Sequence, residues 1–135
     1  MDPRSEDDLV AAAWAAREGS LCTYSKFAVG AVLEDAAGNL WTGANVENAS
    51  YNLGLCAERV ALYYALTHGA SGFRRIAVVA DAASPVPPCG ACRQALFEFA
   101  PDATLSLENR AGERQHYTVR ELLPRAFEAH HLNLD

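Results

Sequence analysis

The feature that most constrains this chain is a pair of cysteine-bearing segments, each followed by apolar residues at helical spacing. The first reads Cys-Ala-Glu-Arg from Cys56, and the second reads Pro-Cys-Gly-Ala-Cys-Arg-Gln from Pro88. A cysteine at the N-terminus of a helix has a lowered pKa, and the thiolate is the form that binds metal. The pattern therefore favours a fold in which two helix ends bring Cys56, Cys89 and Cys92 to one point.

The number of candidate ligands indicates the kind of metal site. Structural zinc is usually held by four protein ligands, whereas catalytic zinc keeps one position for water. The fourth cysteine, Cys22, precedes a predicted strand and is expected to be an ordinary thiol. Cys-x-Glu at one helix start and Pro-Cys-x-x-Cys at another form the pattern of zinc nucleobase deaminases. We therefore expect one catalytic Zn²⁺ ion bound by Cys56, Cys89 and Cys92.

Two charged residues close to Cys56 in the sequence are candidates for proton transfer and for charge compensation at this site. Zinc can lower the pKa of its water from about 15.7 to about 7, and a nearby carboxylate can then transfer the proton. Glu58, two residues after Cys56, is predicted to be that catalytic carboxylate. Arg59, on the same helix face as Cys56, is predicted to donate to the thiolates and offset their negative charge.

Other interpretations of these residues stay open at this point. Cys89-x-x-Cys92 alone is also typical of a redox pair or of half a structural zinc ribbon. A redox protein would readily form a disulfide between these two cysteines. A zinc-dependent interaction module would need a fourth ligand, such as Cys22. Glu58 would then only complement the helix dipole, and Arg59 would be a surface residue.

The apolar pattern along the chain predicts an α/β fold. The predicted order α-β-β-α-β-α-β-β-α indicates a three-layer α-β-α architecture with a mixed sheet of about five strands. The predicted helices cover residues 6–17, 56–67, 88–99 and 120–123. The predicted strands cover residues 28–33, 40–43, 76–80, 104–108 and 115–118. No repeat or linker interrupts the pattern, so residues 1–135 are expected to form a single domain.

Charge and hydropathy limit the partners and the compartment. The formal net charge is −6, and the basic residues are scattered, so no nucleic-acid partner is expected. No segment has the roughly 18 apolar residues of a membrane span, and the acidic start differs from a signal peptide. A cytoplasmic location without membrane attachment is therefore expected, where clustered cysteines more often bind metal than form disulfides.

Longer segments resemble the cytidine deaminases of the small homotetrameric type. Residues 24–31 resemble the first characteristic segment of that family, and residues 43–51 resemble its ribose-binding segment. The cysteine segments follow at the expected separation, and residues 122–124 with Phe127 resemble the C-terminal signature. The likeness covers most of the chain. It implies hydrolytic deamination of cytidine and 2′-deoxycytidine with release of ammonia, one Zn²⁺ per subunit, and a role in pyrimidine salvage.

The resemblance also implies roles for residues that would otherwise be interpreted as loop or core positions. Asn45 and Glu47 would hydrogen-bond the ribose hydroxyls, and their alternate spacing on an extended segment suits one edge of a sugar. Phe27 would pack on the pyrimidine ring, and the backbone of Ala57 would recognise the base. Tyr51 would shape the pocket or a subunit contact.

The C-terminal signature bears on assembly. Phe127 resembles an aromatic residue that reaches the base bound by a neighbouring subunit, which implies a homotetramer with shared active sites. Purine-side and polynucleotide-editing relatives usually have histidine as the first metal ligand, which Cys56 does not match. The nearest enzymatic alternative is deamination of another aminopyrimidine, such as a cytosine-containing antibiotic. The segment with Asn45 and Glu47 favours an ordinary nucleoside.

Overall fold

The computed structural model describes residues 4–133, and within that range it contains three α-helices and one five-stranded sheet. The α-helices are α1 (Glu6–Arg17), α2 (Ala57–Thr67) and α3 (Gly90–Phe99). The strands are β1 (Val29–Glu34), β2 (Leu40–Ala44), β3 (Arg75–Ala80), β4 (Thr104–Glu108) and β5 (Arg114–Thr118). Short 3₁₀ turns cover Tyr51–Leu53, Arg120–Leu122 and Ala129–Leu132.

The sheet is mixed, with the strand order β2-β1-β3-β4-β5. β1 pairs antiparallel with β2 and β3, and β4 pairs parallel with β3 and antiparallel with β5. The β1–β2 hairpin turns at Gly38, whose φ of +86° is a left-handed conformation that glycine adopts without steric cost. A parallel pair needs a crossover connection, and α3 lies in the one between β3 and β4. The predicted mixed sheet is confirmed.

Helices cover both faces of the sheet. Side chains of successive strand residues point to opposite faces. In β1, Val32 belongs to the same buried apolar cluster as Leu9 and Ala13 of α1. Its neighbours Ala31 and Leu33 belong to the larger cluster on the other face, which includes residues of α2 and α3. The predicted three-layer α-β-α architecture is therefore confirmed.

A close approach between β2 and α2 determines where the first turn of α2 lies. A Cβ atom at Gly43 would stand 2.5 Å from the backbone nitrogen of Ala61 and 2.8 Å from the carbonyl oxygen of Ala57. Favourable contacts between carbon atoms lie at about 3.5 to 4.0 Å, so only glycine fits this position without a shift. The end of β2 is thus held against the start of the helix that follows Cys56.

The two helices after the cysteine segments begin later than predicted. The predicted starts at residues 56 and 88 become Ala57 and Gly90, because Cys56 and Cys89 have extended backbones and occupy the N-cap positions. Apolar spacing does not reveal which residue first adopts helical dihedral angles. The strands differ from their predicted ranges by no more than a residue at either end. The predicted last helix is the 3₁₀ turn Arg120–Leu122, followed by Pro124, which disfavours helical backbone at Leu123.

Helix length bears on membrane crossing. The longest α-helix between residues 4 and 133 is α1, with 12 residues, whereas a membrane span needs about 20. No helix in the part of the chain that the structure describes has the length and hydrophobicity of a membrane span.

Candidate metal centre and active site

The starts of α2 and α3 supply the three cysteines. Cys56 is the N-cap of α2, Cys89 is the N-cap of α3, and Cys92 lies in the first turn of α3. N-cap side chains usually accept a hydrogen bond from the first turn of their helix. Neither N-cap cysteine makes such a bond. Their sulfur atoms are therefore available for another partner.

The three sulfur atoms form one cluster. The Sγ atoms of Cys56, Cys89 and Cys92 all lie within 4.8 Å of one another, and those of Cys56 and Cys89 are 3.6 Å apart. In a tetrahedral zinc site with Zn–S bonds of about 2.3 Å, neighbouring sulfurs stand about 3.8 Å apart. The donor set therefore fits zinc in both chemistry and spacing. Cys22 is not part of the cluster, which leaves three cysteine ligands.

Electrostatic interactions favour a thiolate in the cluster. The pKa of Cys56 is lowered to about 5, first by a hydrogen bond with Cys92 and then by Arg59 and Cys89. Arg59 Nη2 stands 3.6 Å from Cys56 Sγ, as a charge-balancing role would require. The pKa of Cys92 is raised, first by a hydrogen bond with Cys56, then by burial and by the charge of Glu58. A second thiolate therefore needs a cation in the cluster.

Glu58 is the buried carboxyl group of this region. It lies in the first turn of α2 with 4% of its surface exposed. Burial raises its pKa to about 7, and the neighbouring Cys56 thiolate contributes to the rise. A proton-transfer group works best when its pKa lies near the working pH. We refer to Cys56, Cys89, Cys92, Glu58 and Arg59 as the metal centre.

The residues predicted to contact substrate, apart from Ala57, are together called the substrate face: Phe27, Asn45, Glu47, Tyr51 and Phe127. Its first four members cluster around the end of β2. Glu47 and Tyr51 line an open depression of about 370 Å³, together with Tyr24, Ser25, Asn48 and Gly54. Asn45 directly follows β2, which Gly43 holds against the first turn of α2. Ala57, the remaining predicted contact, is buried in that turn.

Asn45 and Glu47 already have partners within the chain. The side-chain amide of Asn45 donates to Phe27 O at 2.8 Å and accepts from the backbone nitrogen of Val29 at 2.9 Å. Glu47 accepts backbone N–H bonds from Tyr24 and Ser25, each at 2.9 Å, and a bond from the Ser25 hydroxyl. These bonds, led by those from Ser25, lower the pKa of Glu47. Both residues thus organise the loop that carries Phe27.

Phe127 lies apart from that depression and is held by α3. The side chain of Gln94 donates to Phe127 O at 2.7 Å and accepts from Phe127 N at 3.4 Å. The residue patterns of the sequence did not predict these contacts of Gln94 and Ser25, although both residues lie in the segments that carry the resemblance. Their side chains act on backbone groups, and no residue pattern marks such a contact. Phe127 itself is 56% exposed.

Comparisons with known proteins show the family of the chain. Residues 3–107 match the family model described as the cytidine and deoxycytidylate deaminase zinc-binding region. The chain is 51% identical over 126 residues to the cytidine deaminase of Halalkalibacterium halodurans, which covers 93% of this chain and 96% of the relative. It is 43% identical over 122 residues to the cytidine deaminase of Sporosarcina psychrophila, which covers 90% of each chain.

Solved structures agree as well. The crystal structure of cytidine deaminase from Burkholderia pseudomallei superposes with a TM-score of 0.90 at 44% identity, covering 92% of this chain and all of that one. The cytidine deaminase of Mycobacterium tuberculosis superposes with a TM-score of 0.79 at 34% identity, covering 93% of this chain and 99% of that one.

A three-layer α/β fold with cysteines and a buried carboxyl group at two helix starts defines a class of hydrolytic deaminases. The chain belongs to the cytidine and deoxycytidylate deaminase family, and its length is that of the short type. The resemblance drawn from the sequence is thus confirmed, as is the assignment of the chain as an enzyme of this class.

Proposed function

We propose that this chain is a zinc-dependent enzyme that deaminates cytidine and 2′-deoxycytidine to the corresponding uridines and releases ammonia. One observation carries the proposal: the cysteine cluster lies beside a buried carboxyl group, Glu58, whose pKa is near 7. A redox pair would not need Glu58, and a structural zinc site would need a fourth ligand. The cytidine deaminases named above support the choice of substrate.

The metal centre suits zinc held by Cys56, Cys89 and Cys92, one ion per chain. Bound there with one position open, zinc would supply an activated water. Glu58 would take the proton of the attacking water, deliver it to N3 of the base, and then carry a proton to the leaving amine. Arg59 would offset the negative charge of the thiolates, because three thiolates outweigh the charge of one Zn²⁺ ion.

The substrate face would bind the nucleoside. A carboxylate offers about four acceptor sites and an amide nitrogen carries two donors. The Glu47 carboxylate accepts hydrogen bonds from three protein donors, and the Asn45 side-chain nitrogen donates one hydrogen bond to a protein acceptor. Each side chain therefore retains capacity for a ribose hydroxyl. Phe27 would pack on the pyrimidine ring, and the backbone of Ala57 would recognise the base.

We further propose that residues 1–135 form one domain and assemble into a cytoplasmic homotetramer that takes part in pyrimidine salvage. Leu21, Tyr51, Leu53 and Phe127 are each more than half exposed. Phe127 would reach a neighbouring subunit's base, while Tyr51 would lie at a subunit contact or at the pocket edge. Assembly would cover these side chains.

An absorbance assay on cytidine, with and without a strong chelator, tests the proposed function when combined with metal analysis. We expect about one zinc per chain, loss of turnover on chelation, and recovery when Zn²⁺ is returned. Turnover that survives complete removal of the metal would refute the zinc mechanism. A panel that includes 2′-deoxycytidine and cytosine-containing antibiotics tests the substrate, and a strong preference for the antibiotics would favour the alternative.

A further inference from the structure

The backbone of Phe27 is held on both sides by polar side chains. Its N–H donates to Ser25 Oγ at 3.0 Å, and its carbonyl oxygen accepts from Asn45 at 2.8 Å. The residue before it, Lys26, has a φ of 59°, a left-handed conformation that is uncommon for a residue with a side chain. Such backbone persists only where surrounding contacts maintain it. The Ser25 hydroxyl is one of these contacts.

The same hydroxyl also bonds Glu47. Ser25 Oγ donates to Glu47 Oε2, and the backbone N–H of Ser25 donates to Glu47 Oε1 at 2.9 Å. An ionised carboxylate can only accept, so the single hydroxyl proton must point to Glu47. A lone pair of the oxygen is then left for the Phe27 N–H. The direction of both bonds is therefore fixed.

We propose that Ser25 is a positioning residue that couples Phe27 to Glu47. The inference rests on the proposed function, in which Phe27 contacts the base and Glu47 contacts the ribose. One hydroxyl then sets the distance between the two halves of the nucleoside site. Without that hydroxyl, Phe27 and Glu47 are both still present, but the hydrogen bonds that hold them relative to each other are lost. The expected defect is in substrate binding and not in chemistry at the metal centre.

The kinetic test compares Ser25→Ala, Ser25→Thr and the control Ser71→Ala, which changes an exposed serine in the loop before β3. Ser25→Ala removes one donor and one acceptor, so KM for cytidine should rise roughly tenfold, with kcat changed less than about threefold. Ser25→Thr keeps the hydroxyl and should restore KM to within about threefold of the unmodified enzyme. Zinc content should stay the same in all three variants.

A second substrate separates positioning from a general loss of structure. 2′,3′-Dideoxycytidine lacks the ribose hydroxyls that Glu47 would bind, so Ser25→Ala should raise its KM less than that of cytidine. An equal rise for both substrates, an unchanged KM for cytidine, or a Ser25→Thr variant as impaired as Ser25→Ala would each overturn the coupling.

Hydrogen exchange gives a readout that does not depend on activity. Amides of residues 24–28 should exchange faster in Ser25→Ala and in Glu47→Gln, by roughly threefold to tenfold, and the double variant should add little. Unchanged exchange would overturn the coupling. If the unmodified enzyme does not deaminate cytidine, the proposed function fails, while faster, non-additive exchange would still show that Ser25 links Phe27 to Glu47.

Discussion

The metal centre and the substrate face are built in opposite ways. The metal centre lies at the starts of two helices packed on the sheet, and Glu58 and Cys92 are buried there. The substrate face lies on irregular segments, and its three aromatic side chains are exposed, Tyr51 by 79%. Helices and their packing fix the metal centre, whereas hydrogen bonds between residues distant in the chain hold the substrate face. In the proposed function, the groups that do the chemistry would all come from one chain, whereas nucleoside recognition would depend on loops and on an aromatic side chain of a neighbouring subunit.

The largest effect is expected from removing a metal ligand. Cys89→Ala should lose zinc and all measurable turnover, because the two remaining cysteines cannot complete the site. Cys22→Ala is the matched control and should retain both, since Cys22 is not part of the cluster. Metal analysis of the two purified variants, with a cytidine assay, checks this. Loss of zinc in Cys22→Ala would make Cys22 a fourth ligand and favour a structural site.

The next effect separates chemistry from metal binding within the metal centre. Glu58→Ala should retain zinc while kcat falls by about 10²–10⁴-fold, the usual contribution of general acid–base catalysis. Glu98→Ala, on the exposed side of α3, is the control and should leave kcat unchanged. Steady-state kinetics with metal analysis provide the measurement. Near-normal turnover in Glu58→Ala would contradict the proton-transfer role.

Burial of Glu58 also predicts how the stability of the zinc-free protein depends on pH. The pKa of Glu58 is raised from 4.5 to about 7. Between these two pH values Glu58 therefore stays protonated in the folded protein but is ionised in the unfolded chain. The contribution of Glu58 to stability is therefore lost as the pH rises through this window, by roughly 3 kcal/mol in total. Cys56 acts in the opposite direction, because its pKa is lowered to about 5.

The difference between unmodified protein and Glu58→Gln isolates the glutamate. Urea unfolding of both proteins with chelator at pH 5 and pH 8 measures it. Relative to the unmodified protein, Glu58→Gln should gain stability as the pH rises. Parallel pH dependence in the two proteins would show that Glu58 is not held in a water-poor environment.

The smallest effects are expected on the substrate face. Phe127→Ala should raise KM for cytidine roughly tenfold, because stacking of an aromatic side chain on a base is lost. Gln94→Ala should raise it roughly threefold by loosening the Phe127 backbone. Phe99→Ala removes an exposed aromatic side chain at the end of α3 and serves as control. An unchanged KM in Phe127→Ala, with a monomeric elution volume for the unmodified protein, would contradict a shared site.

The two regions also differ in how far the sequence predicts them. Ligand spacing and apolar periodicity predicted the sheet and the convergence of Cys56, Cys89 and Cys92, because these depend on short segments and helix ends. The substrate face was predicted only by resemblance. Its internal support could not be derived, since Glu47 bonds residues more than twenty positions earlier in the chain. Neither spacing nor composition encodes a hydrogen bond to a distant backbone group.

Helix α3 carries the candidate metal ligand Cys92 and, two residues later, Gln94, whose side chain holds Phe127. In the proposed assembly, one helix would therefore serve two active sites, its own and that of a neighbour. Each gene copy would then encode one subunit, whereas each active site would need residues from two subunits. An inactive allele without Cys89 and an impaired allele without Phe127 would therefore complement each other in mixed oligomers, because some sites would combine an intact metal centre with an intact Phe127 from the neighbour.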